Sequence, residues 1–162
     1  MKTASKLAGI VIVIQALLLS PVIGNSSIQV AIDIRPQSCP NPFNVNSRGV
    51  LPVAILGTAE FDVSDIDVAT LQLIGVGPIR SGYEDVATPL FDTCDCTTEG
   101  PDGYRDLVLK FNAQAIIEAL EGMYGGLYGG EQLELQLTGQ FLDGVSFVGV
   151  DCVVVVGSSN PG

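Results

Sequence analysis

The stretch LELQLTGQFLDGVSFVGVDCVVVV, residues 133–156, decides the fold class. Leu133, Leu135 and Leu137 alternate with Glu134 and Gln136. A period of two puts the leucines on one face of a strand and the polar residues on the other. Asp143-Gly144 is a favoured turn pair, since both residue types tolerate the left-handed backbone that tight hairpins need. Val145 to Val156 returns as a run rich in β-branched residues, which suit a pleated, half-buried surface. These residues predict a β-hairpin with one buried face.

The same alternation recurs upstream. Ile28, Val30, Ile32 and Ile34 fall on one face, with Gln29, Ala31 and Asp33 on the other. Arg35 to Gly49 is rich in Pro, Asn and Ser and reads as an irregular connector. Val50 to Leu56 is a nearly continuous apolar run and reads as a buried strand. Within it, Pro52 lacks a ladder donor and belongs at a strand start, an edge or a bulge. Thr70 to Val76 and Ile79 to Tyr83 are weaker strands, whereas Leu107, Leu109 and Phe111 alternate clearly with Asp106, Val108 and Lys110.

One helix is predicted over Ala113 to Glu121, capped by Asn112, stopped by Gly122 and apolar at Ile116, Ile117 and Leu120. The glycine-rich stretch Gly122 to Gly130 follows as a loop, and the segment after Gly157 reads as a disordered tail. With no internal repeat and one hydrophobic block, the expected fold is all-β: an antiparallel β-sandwich with one short α-helix, over residues 25–157.

The start of the chain bears on location. Lys2 and Lys6 precede an uncharged stretch from Leu7 to Val22, and Val22-Ile23-Gly24 supplies small residues for cleavage. That layout is a secretory signal peptide over residues 1–24, while Gln15, Ser20 and Pro21 argue against a membrane anchor. Removing 24 of 162 residues leaves 138, one domain's worth. Of seven cations two leave with the leader, so five face eighteen carboxylates, a net charge of −13. A nucleic-acid footprint needs clustered Lys and Arg, so that partner is excluded, and adsorption to an anionic membrane is disfavoured.

The four cysteines are Cys39, Cys94, Cys96 and Cys152. An even number in an exported chain reads as two disulfides, each of the close pair Cys94 and Cys96 joining a distant partner; which joins which stays open. Zinc is disfavoured, because the chain has no histidine and its close pair is C-x-C.

Two stretches carry a resemblance. VAIDIRPQSCPNPFNVNSRGVLPVAIL, residues 30–56, resembles the opening of an uncharacterised secreted bacterial β-rich domain family, whose signature runs IDIKPGS-PN-NxxSKGxxPVAIL. Phe61-Asp62-Val63, Ile66-Asp67, Thr70-Leu71, Glu84-Asp85-Val86 and Asp102-Gly103-Tyr104-Arg105-Asp106-Leu107 extend the likeness over about 80 residues. The resemblance implies an exported or cell-surface location and a β-rich fold. Relatives carry an uninterrupted EDVNGDGxxDL stretch that resembles a calcium loop, in which carboxylates around a tight glycine turn converge on one hard cation. By that likeness Asp85, Asp102 and Asp106 are the metal ligands and Gly103 makes the turn. This chain departs from the pattern at Ala87 and by an insertion, up to Pro101, that contains Asp92, Cys94, Asp95, Cys96 and Glu99.

Catalysis finds little support. Without histidine, Ser-His-Asp and Cys-His arrangements are impossible, and no P-loop or dinucleotide fingerprint occurs. A carboxylate pair such as Glu84 with Asp106 arises by chance among eighteen acids. The expectation is a secreted, extracellular or cell-envelope domain with a structural or recognition role, not an enzyme, with weakly bound calcium as its cofactor. The alternative is a module that binds a carbohydrate or protein ligand through the loop around Tyr124 and Tyr128.

Overall fold

The computed structural model describes residues 27–90 and 92–159. The expected leader, residues 1–24, lies outside them, as do residues 160–162. Nine strands, one α-helix and a short 3-10 helix (Val63–Asp65) are present among the described residues: β1 (Ile28–Gln29), β2 (Ile32–Ile34), β3 (Pro42–Asn44), β4 (Val50–Ile55), β5 (Ile66–Leu73), β6 (Arg80–Glu84), β7 (Asp106–Asn112), α1 (Ala113–Tyr124), β8 (Gln132–Phe141) and β9 (Ser146–Val156). They form two facing sheets, in the orders β1-β9-β8-β5 and β2-β4-β7-β6. The all-β sandwich with one helix is the observed architecture.

The hairpin read first from the sequence is the spine of one sheet. β8 and β9 pair antiparallel from Gln132↔Val154 to Gln140↔Ser146, and Gly144 turns between them at φ 85°. Leu133, Leu135 and Leu137 point inward and meet Phe147, Val153 and Val155. The opposing sheet contributes Ile34, Val53, Ile55, Leu107, Leu109 and Phe111 to the same core. Each such side chain stabilises the fold by roughly 1.5–3 kcal/mol when fully buried. α1 closes one end of the sandwich with Ile116, Ile117 and Leu120, and Asn112 caps it by accepting the N–H groups of Gln114 and Ala115.

Several expectations need correction. The helix continues past Gly122 to Tyr124 and stops at Gly125, the glycine that takes the left-handed conformation, φ 76°. The connector holds a strand, β3, which pairs with β9. The sandwich is not wholly antiparallel, because β1 and β3 both run parallel to β9. Ser159, expected in the disordered tail, exchanges two hydrogen bonds with Leu127.

The largest correction concerns residues 28–34, which alternate like one strand but form two. Val30 donates to the Val148 carbonyl and ends the pairing with β9. The chain then crosses to the other sheet, where β2 pairs with β4. At Asn41 it crosses back, and its carbonyl accepts the Val154 N–H as β3 begins. The detour brings both faces of residues 31–34 under cover, so Ala31 and Asp33 are buried as well as Ile32 and Ile34. Gly149 lies at the crossing: a Cβ there would stand 2.5 Å from Ile32 Cγ2 and 3.1 Å from the Val30 carbonyl. Pro52 is harmless within β4, a central strand. Its carbonyl accepts Arg35 N–H on the β2 side, so its missing donor costs the ladder to β7 nothing.

Candidate functional site

Two groups of acids lie at the margins of the second sheet, the second of them shared with β9 of the first sheet. The first is the turn where the sequence places a calcium loop. Asp85 follows β6, and its carboxylate accepts the N–H groups of Asp102 at 3.1 Å and Gly103 at 2.8 Å. Asp102 in turn accepts from Tyr104 N–H at 2.9 Å. The insertion therefore does not keep Asp85 and Asp102 apart. Asp106 begins β7 and is fully buried. Its Oδ1 accepts from Gly57 N–H, and its Oδ2 accepts from Val86 and Ala87. Burial raises the Asp106 pKa, and the three amides oppose that rise. Glu84, its cross-strand neighbour, is exposed. Five backbone N–H groups thus serve the oxygens of Asp85 and Asp106.

The second group lines the edge where the chain detours between sheets. Asp151, inside the apolar β9, is 4 % exposed. Its Oδ2 accepts Ile34 N–H at 2.7 Å and the Asn41 amide at 3.1 Å, while its Oδ1 accepts Cys152 N–H. β2 is an edge strand, so Ile34 N–H would otherwise have no ladder partner, and Asp151 supplies it. Asp33 is 8 % exposed, yet its Oδ2 has no hydrogen-bond partner. Asn41 Oδ1 is likewise buried and unpartnered. Burial first, then the charges of Asp151 and Asp106, push the Asp33 pKa up to about 7, with the Gln37 amide opposing. Burial also raises Asp151, offset by its amide donors.

The insertion straps this edge. Cys96 bonds Cys39 in the detour, and Cys94 bonds Cys152 on β9, with Cα–Cα separations of 5.1 and 4.7 Å. All four cysteines are used. The strap covers the outer face of the second sheet, where Ala31, Ala54, Leu56 and Ala87 form a small apolar cluster of their own. Two cavities open beneath it. One, of about 310 Å³, is lined by Asp92, Asp95 and Asp151 among others. The other is a small space of about 10 Å³ bordered by Asp33, Asp95, Thr88 and Thr97 among others. Among the described residues, no Lys or Arg lines either.

Among the described residues, the one set of three acid or thiol groups with ligand atoms within 4.8 Å of one another is Cys94, Glu134 and Cys152. Its two sulfurs are bonded to each other and offer no thiolate. Tyr124 and Tyr128 are each about half exposed beside the glycine loop, while Leu127 between them is fully buried against the core.

Asp33, Asn41 and Asp151 were missed as site residues on reading the sequence. The available signal was an acid isolated within an apolar strand, as in Ile32-Asp33-Ile34 and Val150-Asp151-Cys152-Val153. No family model, no curated protein and no solved structure matches the chain.

Proposed function

We propose that this chain is a non-catalytic structural or recognition domain of an exported or cell-surface protein, stabilised in part by calcium. The observation that supports it best is the pair of disulfides, each joining residues more than fifty positions apart. Such bridges persist in oxidising spaces outside the cytoplasm and stabilise a small fold by restricting its unfolded chain. Among the described residues no helix is long and apolar enough to cross a membrane. The strong negative charge favours protein, glycan or cation contacts over nucleic acid. Mass spectrometry of the product made with its natural leader tests the reading. A chain beginning at Asn25 with no free thiol is expected; one retaining Met1 and four free thiols defeats it.

A second reading rests on exposed apolar side chains. Met123, Tyr124 and Tyr128 stand out from the end of α1 and the loop after it, which makes a ligand-binding role for that corner reasonable. Glycan-array binding that is lost in a Tyr124→Ala/Tyr128→Ala variant would support it, and an array without signal would remove the glycan form of the idea.

A further inference from the structure

We infer that the small cavity beneath the disulfide strap, bordered by Asp33, Asp95, Thr88 and Thr97, is a binding site for one calcium ion. The site differs from the Asp85–Asp102–Asp106 turn expected from the sequence. It rests on the reading of the chain as an extracellular domain only in that calcium is plentiful there.

The first support is an oxygen with nothing to bond. Asp33 lies on β2 with its carboxylate under the strap, and its buried Oδ2 meets no donor. A carboxylate oxygen left so in a native interior calls for a proton, a water or an ion. The second is the chemistry of the walls. Asp95 supplies another carboxylate, and Thr88 and Thr97 supply hydroxyl oxygens. Thr88 donates its proton to the Gly100 carbonyl, and Thr97 Oγ1 accepts Glu99 N–H, so each hydroxyl is already held in place. Two negative charges and neutral oxygens suit a hard divalent cation.

The space agrees with that occupant. About 10 Å³ is the room of one water-sized body, too little for an organic ligand. The remaining walls, Ile32, Leu56, Leu90 and the disulfide-bonded Cys96, bring no charged donor. Among the described residues no cationic side chain lines the site, and the one ion pair is Arg105 with Asp62, at the pocket that Gly103 also lines. Asp95 sits between Cys94 and Cys96, so both disulfides fix its backbone while its exposed side chain can turn to the ion. Calcium takes six to eight oxygens, so water from the adjoining cleft completes the shell, and that cleft adds the Asp92 and Asp151 carboxylates nearby.

The test uses the oxidised protein, stripped with a chelator and titrated with calcium chloride while thermal melting and amide chemical shifts are followed. Wild type is expected to bind with Kd on the order of 10⁻⁴ to 10⁻³ M, to melt higher with added calcium, and to shift amides around Asp33 and Asp95. Asp95→Asn should weaken binding by more than about tenfold, and Asp33→Asn should abolish it. Because Asp95 is exposed, its variant reads out the site even if Asp33→Asn fails to fold. Absence of binding by wild type overturns the inference. So does binding that survives Asp95→Asn unchanged, or shifts centred on Asp85 and Asp102 and lost in Asp102→Asn. Absence of binding would also remove calcium from the proposed function, but none of those results touches export, which is read from the leader and the thiols.

Discussion

The acidic turn at Asp85–Asp102–Asp106 and the strapped edge at Asp33–Asp95–Asp151 hold similar residues in opposite states. In the turn, each carboxylate finds backbone N–H groups, so Asp106 is fully buried and yet fully engaged. At the edge, Asp151 finds three donors while Asp33, the same residue type and similarly buried, has a bare oxygen. A count of acids does not separate these cases. The supply of donors does, and that supply depends on where the chain turns. The turn is organised by backbone amides, whereas the edge is held together by sulfur bonds and leaves Asp33 Oδ2 without a donor.

The comparison can be broken most forcefully at the strap. Replacing Cys94 and Cys152 together by serine should lower stability by about 4 kcal/mol, the chain-entropy value for a loop of this length. Denaturant unfolding would read it, and a loss under about 1 kcal/mol would mean the edge holds without its bridge.

Asp106→Ala attacks the other region. It strands three N–H groups, two buried and one part-buried, and should cost about 3 kcal/mol in the same experiment. An Asp106→Ala protein as stable as wild type would show that the amides find water instead.

Gly149→Ala tests whether the detour between sheets is tightly packed. Its new methyl would meet Ile32 and the Val30 carbonyl, so a loss of about 1–3 kcal/mol is expected. A neutral result would show that β2 can shift away from β9.

A last test sharpens the contrast through pH. With calcium removed, folded Asp33 holds a proton up to about pH 7, while the unfolded chain releases it near 3.8. The folded state then binds more protons across that window, so stability falls as pH rises from about 4 to about 7. The charges facing Asp33 are Asp151 and Asp106, which oppose its ionisation, and Asp95 across the cavity. Asp33→Asn should flatten this slope in chelator-treated melts, whereas Asp102→Asn should leave it. An unchanged slope in Asp33→Asn would assign the pH dependence to another group.

Much of the fold was legible because it follows local rules. The period-two leucines of β8, the Asp143-Gly144 turn and the Asn112 cap each express a preference of a few neighbouring residues, and the structure keeps all three. The helix end was misread because two glycines compete, and only Gly125 adopts the left-handed backbone. The candidate site was less legible. Asp85 and Asp102 do meet, but the backbone amides that surround them carry no side-chain signature.

By itself the sequence determined the strand periodicity, the hairpin, the capped helix and the even set of cysteines, since each is written within one element or one count. Only the tertiary structure decided that residues 28–34 divide between two sheets, that Cys39 pairs with Cys96 and Cys94 with Cys152, and that Asp33 is covered without a donor. The reason is range: Asp151 reaches Ile34 across 117 positions, and nothing local to either residue records that they meet.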